Sequence, residues 1–253
     1  MDDSKQNFDK LKLDFIATVS HELRTPLTSI RGFTETLISS RDKLTDEQQL
    51  KFLNIIKDQS NRLINLVENL LSASAQASSE EIYVLKPTNV LNSVENTISI
   101  VKQKYLRKDF SVELNKTLQD ILVDSEKFQQ ILLNLVENAC KYSFENSIIL
   151  INATEKNGKV VINIENDGTT IEDSDKSKIF EKFARLDTPM TRLTQGSGMG
   201  LYLAKYMTEK MNGEISVYSE KEHTIFSLMF PVATPESVIK NKLSAEKRGE
   251  INA

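Results

Sequence analysis

One cysteine, two histidines, five prolines and eight glycines stand in a chain of 253 residues, and each scarcity excludes something. A lone Cys140 rules out an internal disulfide framework and fits a reducing interior. It lies in an apolar stretch, which marks it as a packing residue rather than a nucleophile. With two histidines and no Cys/His cluster at ligand spacing, no zinc site is expected. The few glycines and prolines, with the charge and periodicity, favour a helix-rich chain. A net charge of −4 gives no general reason to expect nucleic acid or an anionic membrane as partner. No apolar run nears the ~18 residues that cross a bilayer, and the opening MDDSKQNFDKLKLDF has no signal-peptide core. The expectation is a soluble cytoplasmic chain with no membrane segment of its own, or the cytoplasmic part of a larger, membrane-anchored protein.

What is present reads as globular. Hydrophobic residues at 39% and charged residues at 27% are ordinary, and the length suffices for one large domain or two modest ones. Leu11, Phe15, Val19, Leu27, Ile30, Phe33 and Leu37 recur at helical spacing. After a short loop, about Ser40 to Leu44, Thr45-Asp46-Glu47-Gln48 signals a second helix start. Its stripe is Phe52, Leu53, Ile56, Leu63, Val67, Leu70 and Leu71. One antiparallel hairpin cannot cover both stripes, so two hairpins paired as a four-helix bundle, hence a homodimer, are the economical solution.

Periodicity is lost in SASAQASSEE, a linker, and the pattern changes beyond Pro87. Helices are predicted from about Val90 to Tyr105, from Ser125 to Tyr142, near Ser174–Arg185 and over Met199–Met211. Strands are predicted at Phe110–Leu114, Ile148–Thr154, Val160–Glu165, Glu214–Ser219 and Thr224–Phe230. Asn157-Gly158 marks a hairpin between the second and third. The result is an α+β layer. The domains are expected at 1–75 (hairpin), 76–87 (linker), 88–232 (α+β) and 233–253, a polar tail that is disordered or a short loose helix.

Ser20-His21-Glu22-Leu23-Arg24-Thr25-Pro26-Leu27 sits on the first helix. A histidine among Ser, Glu and Arg belongs on the solvated face, where a neutral imidazole is available at cellular pH. Glu22 can accept one ring N–H and so make the other nitrogen more nucleophilic. Thr25, four residues on, shares the face of His21 and can position a water. Pro26 cannot donate to the carbonyl of Glu22, so a bend is expected there. Taken alone, an exposed histidine beside a glutamate is usually a solvated pair. The whole string, with Phe15 before it, resembles the phosphoacceptor motif of sensor histidine kinases. That resemblance implies His21 as phosphoacceptor, Glu22 as general base, and Thr25 as a helper in dephosphorylating the partner.

The second half then bears reading for nucleotide chemistry. Asn134 and Asn138 are i,i+4 on one helix, with Lys141 a turn further and Tyr142 beside it. Amide oxygens and an ammonium on one stripe suit Mg²⁺ and phosphates, although a solvated polar face is the plainer reading of the spacing. Ile131 to Tyr142 resembles the N box of these kinases. The resemblance implies Asn138 as the Mg²⁺ ligand, Asn134 as part of the nucleotide site, Lys141 on phosphate and Tyr142 against adenine. Gly196, Gly198 and Gly200 precede a helix, where backbone N–H groups can approach an anion. They follow Phe180-Glu181-Lys182-Phe183, which looks like the F box, with Arg185 a candidate phosphate contact. The intervening segment, about Ala184 to Gln195, would be an ATP lid.

Two boxes depart from the family. Where Asp-x-Gly-x-Gly is usual, this chain has Asn166-Asp167-Gly168-Thr169-Thr170. Aligning Gly168 puts Asn166 in the adenine-reading place, and its amide oxygen can still accept from the adenine amino group. Thr170 in place of glycine would restrict the backbone near the nucleotide. A late Gly-x-Gly-Ser/Thr turn reads Glu222-His223-Thr224, with Thr224 kept as a nucleotide-site residue and His223 read as an exposed turn residue.

The resemblance covers roughly residues 8–231, with five motifs in family order. It implies an all-α hairpin forming a dimeric four-helix bundle, followed by an α+β sandwich ATP-binding domain of the histidine kinase/gyrase type. The function implied is ATP- and Mg²⁺-dependent autophosphorylation of His21, then transfer to an aspartate of a response regulator, with regulator phosphatase activity. One alternative is a dimeric nucleotide-binding scaffold or pseudokinase. Another is a gyrase-type ATPase with water as acceptor, which the His21 motif opposes.

Overall fold

The structure, a computed structural model, describes residues 2–75, 82–115, 117–182, 184, 186, 198–239 and 241. It divides into two compact units, Met1–Ser79 and Glu80–Ala253.

The first unit is a helical hairpin. Helix α1 spans Asp2–Ser39 and runs on through Pro26. A 3₁₀ turn, Arg41–Lys43, leads to α2, Asp46–Ala75. The start of α2 is a reciprocal cap: the Gln48 N–H donates to Thr45 Oγ1 at 3.3 Å, and the Thr45 N–H donates to Gln48 Oε1 at 3.0 Å. The Gln49 amide reaches back to the Leu44 carbonyl at 3.2 Å and ties the loop down. The helices meet through Phe33 and Phe52, whose ring centroids lie 5.1 Å apart. Leu27, Leu53 and Ile64 nevertheless each remain 54% exposed.

The second unit is built on a five-stranded mixed sheet. Its strands are β2 (Asp109–Leu114), β4 (Ile148–Lys156), β5 (Lys159–Asp167), β6 (Glu214–Glu220) and β7 (His223–Pro231), in the order β2-β4-β5-β7-β6. Only the β2–β4 pair is parallel. A separate antiparallel pair joins β1 (Lys86–Thr88) to β3 (Ile121–Val123). Neither β1 nor β3 is predicted from sequence, since three residues give no period to read. Asn157 and Gly158 turn β4 into β5 with φ of 54° and 70°, the left-handed pair that a two-residue hairpin needs.

Strands β5 and β7 alternate strictly in burial, so one face of the sheet is dry. Helices α3 (Val90–Lys104), α4 (Ser125–Tyr142) and α5 (Gly200–Lys210) supply the cover. Asn89 caps α3 by accepting from the Asn92 N–H, and Asp124 caps α4 by accepting from Glu126 and Lys127. Phe128 of α4 meets Phe230 of β7 edge to face at 5.6 Å. Leu132, Leu135 and Val136 of α4 are fully buried beside Ile162, Ile164 and Leu228 of the sheet strands.

Two expectations are corrected. Where a helix near Ser174–Arg185 is expected, the described residues 173–182 form turns over 173–177 and one 3₁₀ turn, Lys178–Phe180. Ile179 and Phe180 are the buried residues of that turn, and the five residues before them, Ser174 to Lys178, offer no apolar position to start a helical stripe. Lys176 and Lys178 pair instead with Asp173 and Asp175 three residues back. His223 is not in the turn: the turn is Lys221-Glu222, and His223 opens β7, half-buried. Past β7, residues 235–239 form a helical turn, and Asn241 donates to the Leu85 carbonyl at 2.9 Å.

Candidate nucleotide site and phosphoacceptor helix

His21 and Glu22 lie on α1 and are described through their backbone alone. Thr25, one turn on, is half-buried, and Pro26 is buried.

In the second unit α4 carries four of the residues predicted from sequence, Asn134, Asn138, Lys141 and Tyr142, all partly buried at its C-terminal half. Its two ends of contact differ. At Asn134 the neighbour is the start of α5: a side chain added at Gly200 would meet Asn134 Oδ1 at 3.6 Å. The other amide atom, Asn134 Nδ2, is buried with no hydrogen-bond partner, the one such atom among the described residues. A buried, unmet donor costs about 1–3 kcal/mol, which an acceptor supplied from outside relieves. It lies beside the first turn of α5, where backbone N–H groups are also unmet. Gly198, two residues ahead of α5, takes φ of 69°, a conformation glycine adopts freely.

At Tyr142 the neighbour is the loop after β5. Ser143 bridges Gly168, and the Phe144 N–H donates to the Asp167 carbonyl at 2.8 Å. Gly168 has to be glycine: a Cβ would stand 2.0 Å from the Tyr142 carbonyl oxygen. Two residues earlier, on the inward face, Asn166 is 5% exposed and pairs in register with Thr224 of β7. Thr224 is buried as well, and its Oγ1 shares a hydrogen bond with Ser219 Oγ at 2.8 Å. Ser219 also accepts from the Ile171 N–H at 2.9 Å. Nothing in the sequence singled out Ser219, whose role depends on strand register.

Lys141 is held by Glu137 at 3.4 Å, and the same carboxylate takes Lys104 of α3 at 3.0 Å. The i,i+4 spacing of Glu137 and Lys141 was a readable signal that sequence reasoning missed. Beneath this cluster lie Tyr105 and Cys140. Burial, aided by Glu137, raises the Tyr105 phenol well above its usual range, and burial pushes the Cys140 thiol up to about 11. Cys140 is thus an inert packing residue.

Arg185 and Gly196 fall outside the described residues, as does most of the expected lid. Among the described residues no His/Cys/Asp/Glu cluster could hold a metal ion, and no helix is long and apolar enough to cross a membrane.

A helix bearing two asparagines and a lysine, flanked by a glycine loop on one side and a helix start on the other, defines an ATPase-type domain, here preceded by a histidine-bearing hairpin. Comparison with known proteins gives the family. Residues 123–234 match the model for histidine kinase-, DNA gyrase B- and HSP90-like ATPases, and residues 11–78 match the His Kinase A (phospho-acceptor) domain. An uncharacterised sensor-like histidine kinase, ycf26, of Porphyra purpurea is 37% identical over 84% of this chain and 34% of its own length. The sensor protein SrrB of Staphylococcus aureus is 32% identical over 90% of this chain and 39% of its own. The chain therefore spans little more than a third of these relatives. Among solved structures, full-length ShkA in complex with AMPPNP has a TM-score of 0.64 at 26% identity, covering 86% of this chain and 45% of that one. Histidine kinase ThkA in complex with response regulator TrrA has a TM-score of 0.63 at 25% identity, covering 92% and 65%. The protein belongs to the sensor histidine kinases of two-component systems.

Proposed function

We propose that this chain is a kinase core that phosphorylates its own His21 from Mg-ATP and passes the phosphoryl group to an aspartate of a response regulator. The observation that carries the reading is the unmet Asn134 donor, buried between α4 and the start of α5, where an anion would complete the hydrogen bonding. Asn166 and Thr224 then face the base, Lys141 and Arg185 the phosphates, and Gly196, Gly198 and Gly200 lend backbone N–H groups. Asn138 suits Mg²⁺, a hard cation that accepts amide oxygen and leaves room for phosphate and water. Mg²⁺ supplies charge neutralisation on the phosphates when bound.

The chain's own groups carry the transfer. Glu22 accepts one imidazole N–H of His21, and the lone pair of the other ring nitrogen attacks the γ-phosphorus. The N–P bond forms as the bond from phosphorus to the β,γ-bridging oxygen breaks, and ADP leaves with that electron pair. Catalysis rests on position and charge rather than covalent help from the ATPase domain. The reverse demand falls on Thr25, which orders a water against the regulator's acyl phosphate.

The hairpin functions as a homodimer. Leu27, Leu53, Ile64 and Val67 stay 44–54% exposed in one chain, and a second hairpin would cover them as a four-helix bundle. The regulator's receiver domain is the other partner.

Incubating the chain with Mg²⁺ and γ-labelled ATP tests the reading. The expected product is an acid-labile, alkali-stable label. Bound ATP with no label would favour a nucleotide-binding scaffold instead, and label in an acid-stable ester would contradict histidine as acceptor.

A further inference from the structure

The two boxes that depart from the family lie against each other. The loop after β5 and the β6–β7 turn are joined by hydrogen bonds that family glycines could not all make. The Gly168 N–H donates to the Glu222 carbonyl at 2.6 Å, and the Glu222 N–H donates to Thr170 Oγ1 at 2.9 Å. His223 Nδ1 lies 2.8 Å from Asp167 Oδ1. Lys221 and Glu222 both take positive φ, 50° and 64°, although neither is glycine. In a two-residue hairpin turn the N–H of the second turn residue has no partner within the hairpin. Thr170 supplies that partner, and a glycine at 170 could not. The side chain that replaces the family's glycine therefore braces the turn whose own glycines are gone.

We propose that Thr170 is a positioning residue of the nucleotide site, clipping the loop after β5 to the β6–β7 turn; the inference rests on the nucleotide reading above. Asn166 and Thr224, cross-strand partners and both buried, sit immediately inside the two ends of the clip. With the clip closed, their spacing is fixed before nucleotide arrives, so binding incurs less ordering cost. On this account Thr170 strengthens binding where its bulk alone would suggest obstruction.

Three variants of this whole 253-residue chain test it, with AMPPNP affinity measured by calorimetry and exchange of the Glu222 amide followed by NMR. Thr170→Val keeps the branched shape and removes the acceptor. It is expected to weaken AMPPNP about tenfold, the scale of one net hydrogen bond, and to release the Glu222 amide to exchange. Thr170→Ser is expected to stay within about twofold of wild type in both readouts, since it restores the hydroxyl. Should Thr170→Val not fold, Thr170→Ala carries the same test. Unchanged AMPPNP affinity alongside a freed Glu222 amide would overturn the positioning role and leave the nucleotide reading standing. A wild-type chain that binds no AMPPNP would overturn the nucleotide reading and this inference with it.

Discussion

The two units solve the problem of burying apolar surface in different ways. Every hydrophobic core residue among those described lies between Val90 and Val232, whereas among the described side chains of the hairpin Pro26 alone is buried, and Leu27, Leu50 and Leu53 are half or more in water. The second unit has a sheet with one dry face and three helices to cover it, so it closes a core by itself. The hairpin has two stripes and only each other to cover them. The difference teaches that stability in the second unit is a property of the chain, while in the first, on the proposed dimer, it is a property of an assembly. It also suits the proposed chemistry: a nucleotide site needs fixed walls, and a phosphoacceptor helix needs an exposed side chain on a scaffold that partners can reach.

That contrast can be broken by substitution. The largest effect is expected from Leu132→Ala, a fully buried α4 position, which should cost the second unit about 3 kcal/mol in denaturant unfolding. Gly168→Ala comes next. Its Cβ would stand 2.0 Å from a backbone oxygen that cannot swing away, and the expected loss is about 2 kcal/mol, with nucleotide affinity falling too. Leu53→Glu, at a 54%-exposed position, should leave the unfolding of the second unit unchanged and weaken the dimer at least about tenfold by sedimentation equilibrium. A melt of the second unit that moved with Leu53→Glu would erase the distinction between the units. A further effect is confined to alkali. The folded chain holds the Cys140 proton to about 11, above the unfolded thiol's value, so its contribution is fully present below pH ~8.5 and is lost as pH rises through about 11. Unfolding free energy should fall over that window, and fall less in Cys140→Ala.

How far the sequence carried the fold depended on how local the signal was. The cap at Thr45 and Gln48 and the Asn157-Gly158 hairpin are written in adjacent residues, and both stand as read. The β1–β3 pair is three residues a side and is held by tertiary pairing, which no periodicity announces. The helix expected near Ser174 failed because charge pairing and turn-forming Asp and Ser outweighed a stretch whose first apolar residue is Ile179. In the site, α4 was legible because helical spacing alone puts Asn134, Asn138 and Lys141 on one side. The approach of Gly168 to Tyr142, the Ser219–Thr224 bond and the Thr170–Glu222 bond were not, since each joins residues far apart in sequence through strand register. Reading Thr170 and His223 as separate departures hid the fact that they meet the same turn.

The central claim is that nucleotide binding belongs to one unit and phosphoryl acceptance to the other. Measuring AMPPNP affinity and γ-label incorporation side by side in His21→Gln and Asn138→Ala tests it most directly. The account predicts that both variants lose the label, that His21→Gln binds AMPPNP as the wild type does, and that Asn138→Ala binds Mg-AMPPNP roughly 10- to 100-fold more weakly. Label persisting in His21→Gln would contradict it.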